Sequence, residues 1–405
     1  MIIVHKYGGT SVATTEKIMN IAKYLGSVKD AGNDVVVVVS AMGKTTDALI
    51  KLAHEITENP SSREMDRLMS TGEQQTISLL SIALQTLGYD AISLTGAQAG
   101  IKTSGHYMKN RIDNIDANSI KKHLNSGKIV VVAGFQGVNE AGDVTTLGRG
   151  GSDTSAVALA AALEGKCEIY TDVDGIYSID PRVYSDAKKL PFISYDEMME
   201  LAYLGAGVME PRAVELGGKY GVEIYVGKSL GEKNGTIITS IEKIKENKNM
   251  EQKVITGVSI NENTIMVNVE EIPTNAQNVS EIFEKAEKSG INIDMISQND
   301  VSSHHGSFAF TCPKTDMAAL EKIGKEIEEK YEKTSFIVNP YVTKVSIVGI
   351  GLISNVGVAS KMFKILAEND ISFHQISTSE ISISLIVDEV MGKKVAELFA
   401  KEFDL

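Results

Sequence analysis

The feature that most constrains the fold is a run of five consecutive valines at positions 35–39. An unbroken run of β-branched residues is typical of a strand with both faces covered by helices, as in parallel sheets. Residues 129–133, Ile-Val-Val-Val-Ala, repeat this pattern, and stretches with the apolar spacing of helices, such as residues 16–25 and 48–87, separate such runs. We therefore predict an α/β fold with an open, mainly parallel sheet sandwiched by helices.

The composition is that of a globular protein with more than one domain. A length of 405 residues predicts two or three domains, and no window approaches the roughly 18 consecutive apolar residues of a membrane span. The first residues lack the features of a signal peptide, and Cys167 and Cys312 are too few for a disulfide framework, so we expect a cytoplasmic protein. The formal charge of −13 argues against nucleic acid or an anionic membrane as a partner.

The last third of the chain contains an internal repeat. Matching apolar residues recur with a shift of 80 positions: Phe283 and Phe363, Ile291 and Ile371, and Ile296 and Ile376. Each copy reads as strand, helix, strand, further β structure and a final helix, which predicts two βαββαβ units. A charged, glycine-free stretch at residues 242–253 precedes them and reads as a linker or an exposed helix.

The first predicted strand runs into a glycine-rich turn with the sequence Lys6-Tyr7-Gly8-Gly9-Thr10-Ser11. Glycines let backbone N–H groups approach an anion closely, and Lys6 adds a positive charge, so the turn suits a phosphate group. A plain turn after a strand explains the same residues equally well.

A second glycine-rich turn, Gly148-Arg149-Gly150-Gly151-Ser152-Asp153, precedes an alanine-rich helix. Its spacing is not the G-x-G-x-x-G of dinucleotide folds, and a linker is the alternative, but a guanidinium among exposed N–H groups suits a carboxylate or a phosphate. Gly43-Lys44-Thr45 is likewise not a Walker A motif, because Val38 stands where that motif needs glycine.

Two further motifs complete the set. In Thr71-Gly72-Glu73, Glu73 either serves a site or favours the dipole at a helix start. The stretch from Thr171-Asp172-Val173-Asp174-Gly175 to Asp180-Pro181-Arg182 lacks the carboxylates of an EF-hand. It reads as the edge of a nucleotide site, with a polar hairpin as the alternative.

In their order and spacing these motifs, followed by a duplicated unit, resemble the aspartate kinases of the monofunctional bacterial type. The resemblance covers nearly the whole chain. It implies an amino-acid-kinase catalytic domain at residues 1–240, a linker at 241–255, and two ACT domains at 256–338 and 339–405 with terminal strands that can interleave. It also implies transfer of a phosphoryl group from ATP, with magnesium, to the β-carboxylate of L-aspartate.

The resemblance also implies a role for individual residues. Lys6 and Asp153 would be catalytic, with Asp153 holding Lys6. The aspartate-binding residues would be Ser40, Thr46, Asp47, Glu73, Arg149, Gly150, Gly151 and Ser152. The ATP-binding residues would be Lys6, Tyr7, Gly8, Gly9, Ser40, Thr171, Asp172, Tyr177, Asp180, Pro181, Arg182 and Lys228. No residue is assigned as a protein ligand to a metal.

The repeated units would bind an amino-acid effector, lysine alone or with threonine, through Asn292, Ile293, Asp294 and Gln298. They would also pair between chains, giving a homodimer or a dimer of dimers. The sequence departs from the family pattern at four positions, which are Glu210, Gly227, Thr274 and Ser372. The alternatives are a kinase for another amino acid such as glutamate, and a catalytically silent amino-acid sensor.

Overall fold

The computed structural model describes residues 1–247, 253–273, 276–299 and 305–405. Contacts within the chain define two compact units. The first comprises Met1–Ile176, Lys189–Ala202 and Gly207–Met250. The second comprises Tyr177–Lys188, Tyr203–Ala206 and Glu251–Leu405. Two short segments that interrupt the first unit in the sequence therefore belong to the second unit.

The described residues of the first unit form twelve strands and nine helices. The strands are β1 (Ile2–Tyr7), β2 (Asp34–Val39), β3 (Ala91–Leu94), β4 (Ile101–Ser104), β5 (Arg111–Ile115), β6 (Ile129–Ala133), β7 (Gln136–Val138), β8 (Val144–Thr146), β9 (Lys166–Thr171), β10 (Phe192–Ser194), β11 (Ile224–Lys228) and β12 (Thr236–Thr239). The helices are α1 (Thr15–Asp30), α2 (Thr45–Ile56), α3 (Ser62–Met69), α4 (Thr71–Thr86), α5 (Asn118–Asn125), α6 (Gly151–Leu163), α7 (Tyr195–Tyr203), α8 (Pro211–Tyr220) and α9 (Ile241–Asn247).

An eight-stranded sheet forms the centre of the first unit, in the order β10-β12-β11-β9-β1-β2-β6-β3. Every neighbouring pair is parallel except β11 and β12, which are antiparallel. The five valines of β2 are fully buried, and β6 is buried along its whole length. The predicted open, mainly parallel sheet is thereby confirmed. The valine run predicted it because an unbroken run of β-branched residues is typical of a strand that is buried on both faces.

A second, four-stranded sheet in the order β5-β4-β7-β8 was not predicted from the sequence. Its strands have only three to five residues and carry polar side chains such as Lys102, Asp113 and Thr145. Short polar strands lack the apolar run or the strict alternation by which a strand is recognised.

The described residues of the second unit form six strands and four helices. The strands are β13 (Gly257–Pro273), β14 (Ile296–Asn299), β15 (His305–Cys312), β16 (Ser335–Val348), β17 (Gln375–Thr378) and β18 (Ser382–Asp388). The helices are α10 (Ala276–Lys288), α11 (Met317–Lys330), α12 (Val358–Glu368) and α13 (Gly392–Glu402). Thr274 lies outside the described residues.

The two repeats share one antiparallel sheet, in the order β14-β15-β13-β16-β18-β17. Strand β16 crosses the predicted boundary between residues 338 and 339, and it pairs with β13 over nearly its whole length, from Gly257 opposite Val348 to Glu270 opposite Ser335. Helices α10 and α11 cover the first repeat and α12 and α13 cover the second, each pair with a separate apolar core. The internal sequence repeat is therefore also a structural repeat, and the two long strands β13 and β16 join its copies in one sheet.

Candidate active site

The carboxyl ends of four neighbouring parallel strands meet at one edge of the large sheet. The register aligns Tyr7 of β1 with Val39 of β2 and with Tyr170 of β9, and Tyr170 in turn with Gly227 of β11. Gly8 and Ser40 directly follow β1 and β2, and Thr171 is the last residue of β9. Ligands of open α/β sheets bind at this edge, which makes it the candidate active site.

A buried ion pair joins β1 to α6 at this edge. Lys6 Nζ lies 2.7 Å from Asp153 Oδ1, and the two side chains are only 11% and 12% exposed. Asp153 stands in the first turn of α6, where a carboxylate also favours the helix dipole. The sequence separates these residues by 147 positions, and the fold brings them into contact, as the predicted pairing requires.

The glycine turn after β1 packs closely against the turn after β2. A Cβ atom at Gly9 would lie 2.8 Å from the carbonyl oxygen of Ala41, so a larger residue does not fit there. Gly43 N–H donates to Gly9 O over 3.0 Å. A Cβ atom at Gly8 would lie 3.5 Å from Lys6 Nζ, which places this backbone beside the lysine ammonium. The turn thus presents main chain and a cation together.

The start of α6 forms the second wall of the site. Gly150 has φ of 62° at the N-cap, a conformation that favours glycine, and Gly151 and Ser152 begin the helix. Ser40 Oγ donates to Ser152 Oγ over 3.0 Å, which ties the end of β2 to this helix. Arg149 is exposed beside the same turn. The turn therefore carries an exposed arginine next to the amino end of α6, a combination that suits an anion.

Glu73 is a buried carboxylate, and one of its two oxygens accepts no hydrogen bond from the described residues. Its side chain is 3% exposed in the first turn of α4, and Oε1 accepts a hydrogen bond from Ala41 N–H over 3.0 Å. Oε2 is buried without a hydrogen-bond partner among the described residues. Burial raises the pKa of Glu73 to about 7. A cation supplied by a ligand would satisfy this oxygen and hold the carboxylate ionised.

Two other predicted aspartate-binding residues, Thr46 and Asp47, lie in the first turn of α2. Thr46 is half-buried and Asp47 is exposed. The ring of Tyr7 is fully buried in the apolar core of the sheet. Any contact of Tyr7 with ATP therefore comes from its main chain.

The predicted ATP residues fall into both units. Thr171, Asp172 and Lys228 belong to the first, where Lys228 pairs with Thr171 in the register of β11 and β9, and Thr171 Oγ1 donates to Asp172 Oδ1 over 2.9 Å. Lys6, Tyr7, Gly8, Gly9 and Ser40 also belong to the first unit, whereas Tyr177, Asp180, Pro181 and Arg182 belong to the second. In the second unit, hydrogen bonds from Arg182 lower the pKa of the Asp180 carboxyl below its usual value, and the positive charge of Arg182 adds to this effect.

The predicted effector residues lie around the start of β14 in the second unit. Asn292 and Gln298 are exposed, and Ile293 packs against the core of the first repeat. Asp294 N–H donates to Thr311 O over 2.9 Å, and the Asp294 carboxylate forms an ion pair with Lys344, which is 2% exposed. Of the departures, Gly227 lies within β11 and Ser372 is exposed before β17.

Sequence reasoning named Glu210 only as a departure, but the structure places it against the site. The half-buried Glu210 side chain fills the space that a Cβ atom at Gly150 would need. Burial raises its pKa, and the charge of Asp153 acts in the same direction. Glu210 precedes Pro211 at the start of α8, and only the packing of α8 against α6 brings it to Gly150.

A polar cluster on the opposite face of β1 was also missed. His5 and Tyr7 flank Lys6 and point away from it, towards Tyr24, Glu168 and Tyr170. His5 is fully buried, and burial lowers its pKa to about 4, so it is neutral at pH 7. The sequence did contain a signal for this cluster. Side chains alternate between the two faces of a strand, so residues 5 and 7 must face opposite to residue 6.

Comparison with known proteins gives the family. The amino acid kinase family model matches residues 1–228, and an ACT domain model matches residues 345–403. An aspartokinase of Bacillus sp. strain MGA3 is 48% identical over 100% of this chain and 97% of its own length, and aspartokinase 2 of Bacillus subtilis strain 168 is 47% identical over 100% and 98%. The chain belongs to the aspartokinase family.

The fold of this aspartokinase agrees with solved structures. Escherichia coli aspartokinase III in complex with aspartate and ADP has a TM-score of 0.83 at 23% identity, with 100% of both chains covered. These findings confirm the predictions of an amino-acid-kinase fold, of an aspartate kinase, and of ATP as its phosphoryl donor. No helix among the described residues is both long enough and apolar enough to cross a membrane.

Proposed function

We propose that this aspartokinase transfers the γ-phosphoryl group of ATP, with magnesium, to the β-carboxylate of L-aspartate. The product is 4-phospho-L-aspartate, at the first step towards lysine, threonine and methionine. The observation that carries the proposal is the arrangement at one sheet edge of the Lys6–Asp153 ion pair, the start of α6, and the unused Glu73 oxygen.

The phosphoryl group is assigned to the turn after β1. Lys6 would neutralise charge on the transferring group, and the main chain of Gly9 and of Gly8, which lies beside the lysine ammonium, would cradle it. Asp153 fixes the lysine ammonium on the sheet side. Phosphoryl transfer asks a protein mainly for positioning and charge stabilisation, and a carboxylate acceptor is already ionised, so this site needs no general base.

Aspartate is assigned to the space between Glu73, Arg149 and α6. The α-ammonium group would pair with Glu73, whose buried Oε2 lacks a partner among the described residues. Arg149 would clamp a carboxylate in a bidentate manner. Ser40, Ser152 and the N–H groups at the start of α6 complete the pocket, with Thr46 and Asp47 at its rim.

Magnesium is assigned to the nucleotide phosphates. No cluster of three or more metal-ligating side chains is found in the part of the chain that the structure describes. In kinases Mg²⁺ usually binds through substrate phosphates, waters and one or two carboxylates rather than an all-protein cage. Asp172 and Asp174, after the end of β9, would help to order the ion, and Asp174 also pairs with Lys189 over 3.1 Å. When bound, the ion neutralises phosphate charge.

Regulation is assigned to the repeated units. Lysine, alone or with threonine, would bind near Asn292, Ile293, Asp294 and Gln298, and the units would pair two chains into a dimer or a dimer of dimers. The sheet shared by both repeats supports a regulatory unit that responds as one body. A cytoplasmic site of action is part of the proposal, since both cysteines are free and buried.

A hydroxamate assay tests the proposed reaction. The protein is incubated with ATP, magnesium and hydroxylamine, together with either aspartate or glutamate. We expect aspartyl hydroxamate and little glutamyl hydroxamate. Glutamyl hydroxamate as the main product would indicate a kinase for another amino acid. Neither product, with lysine binding retained, would indicate a silent sensor.

A further inference from the structure

A long hairpin loop joins β11 to β12 at the nucleotide edge of the sheet. It follows Lys228, which is assigned to ATP, and precedes Thr236. Its first residue, Ser229, donates its N–H to Thr171 O over 3.1 Å, so the loop starts directly against the end of β9. At its far end Gly235 N–H donates to Tyr225 OH over 3.1 Å.

Between these two points a side chain ties the loop to the sheet. Lys233 Nζ lies 2.8 Å from Glu168 Oε1 and 3.1 Å from Oε2, so the ammonium contacts both carboxylate oxygens. Glu168 is 12% exposed and Lys233 is 52% exposed. Glu168 lies on β9, three residues before Thr171. The ion pair therefore joins the middle of the loop to the strand that ends at the predicted ATP residues.

Glu168 is itself held rigidly. Tyr170 OH donates to Glu168 Oε2 over 2.7 Å and lies 2.9 Å from Tyr24 OH. The Tyr170 ring stacks on Tyr7 with centroids 5.1 Å apart, and Tyr7 directly follows Lys6. Lys233 thus binds to a fixed point of the sheet, on the face opposite to the Lys6 side chain.

We propose that Glu168 and Lys233 are positioning residues for nucleotide binding. The inference rests on the proposed function, because that function places ATP beside Thr171 and Lys228. The ion pair holds the β11–β12 loop in its bound conformation before ATP arrives. Without the pair, binding would have to order the loop, and that entropy cost weakens affinity for the nucleotide.

Kinetics of Lys233→Met and Glu168→Gln test the proposal. We expect the KM for ATP to rise about fivefold in each, the size expected of one partly exposed ion pair. The kcat and the KM for aspartate should stay within about twofold of the wild type. Lys233→Arg should restore the KM for ATP, since it keeps the charge. The double variant should be no worse than either single one, because both remove the same contact.

Lys166→Met provides a matched control. Lys166 lies on the same strand and is 55% exposed, but it pairs with Glu223 at the amino end, away from the site. We expect no change in its KM for ATP. An unchanged KM for ATP in Lys233→Met and Glu168→Gln would overturn the proposal. It would also be overturned if kcat and the two KM values worsened equally and the unfolding temperature fell.

Calorimetric binding of ADP to the same variants separates this proposal from the proposed function. Weaker ADP binding in Lys233→Met and Glu168→Gln than in Lys166→Met supports the positioning role even if aspartate is not the acceptor. Equal ADP binding in all three variants refutes it even if the wild type is an active aspartate kinase.

Discussion

Among single residues, Glu73 leads to the strongest prediction. Burial raises its pKa to about 7, and its Oε2 has no hydrogen-bond partner among the residues that the structure describes. Only the ionised form can pair with the ammonium group of aspartate. We therefore expect the KM for aspartate to fall about tenfold as the pH rises from 6 to 8, as measured by hydroxamate formation. In Glu73→Gln, the KM should be at least about 100-fold higher and should lose this pH dependence. A wild-type KM that stays constant over this range would contradict the assignment.

The same residue predicts a stability cost. Its folded pKa exceeds the ordinary value of 4.5, so the folded state binds more protons between pH 4.5 and 7. The contribution of Glu73 to stability therefore falls as the pH rises through this window. Without ligands, Glu73→Gln should be more stable than the wild type at pH 8, by up to about 3 kcal/mol. Urea unfolding at pH 5 and pH 8 measures this. A variant that is less stable at pH 8 would show that Glu73 already has an unseen partner.

Among the elements, α3 is joined to the small sheet by a buried carboxylate. Asp66 is fully buried, accepts from Met108 N–H over 2.9 and 3.0 Å, and accepts from Thr146 Oγ1 over 2.5 Å. Thr146 ends β8, three residues before Arg149, and Met108 O lies 3.3 Å from where a Cβ at Gly148 would stand. Asp66 thereby supports the turn that carries Arg149.

We predict that Asp66→Ala destabilises the protein by about 2–4 kcal/mol, because it leaves the buried Thr146 hydroxyl and the half-buried Met108 N–H without their partner. The KM for aspartate should rise more than the KM for ATP, since the Arg149 turn loses its support. Asp113→Ala is the control, because Asp113 accepts from Ser104 at an exposed position. Chemical unfolding and steady-state kinetics measure both effects. Equal stability of the two variants would contradict this role.

The sequence predicted the elements with strong local signals and missed those without. The valine run and the apolar stretch of β6 predicted the buried sheet, and Ile129–Ala133 appears as a strand with the predicted bounds. The small sheet was missed because its strands are short and polar. The positions of Glu210 and Lys233 were equally hidden, since each depends on contacts between distant segments. The Lys6–Asp153 pair was predicted only because two motifs resembled one family.

For the whole molecule, the division into units runs through the nucleotide motif. The chain leaves the first unit after Ile176 and returns at Lys189, and Leu190 N–H donates to Ile176 O over 2.8 Å. The intervening segment packs within the second unit, where Ile179 is 2% exposed in the core of the second repeat and Val258 N–H donates to Ser178 O over 2.7 Å. The sequence prediction placed this segment in the catalytic domain, because the residues that it contacts lie some 80 positions or more away in the sequence.

This connection predicts a route for regulation. Ile179→Ala should weaken the packing of residues 177–188 in the second unit by about 2–4 kcal/mol. We expect the variant to keep its kcat without effector but to lose most of its response to saturating lysine or lysine with threonine. Wild-type coupling should be about 1–3 kcal/mol. Val390→Ala, at an 86% exposed position of the same unit, is the control. An unchanged lysine titration in Ile179→Ala would refute the route.

We propose above all that Lys6 and Asp153 act as one catalytic pair across 147 positions of sequence. The most direct measurement is the kcat for aspartyl hydroxamate formation in Lys6→Met, Asp153→Asn and the double variant. We predict a loss of about 100-fold or more in each single variant, and a double variant little worse than either, because both remove one unit of charge stabilisation. An Asp153→Asn enzyme that retains most of its activity would contradict the account.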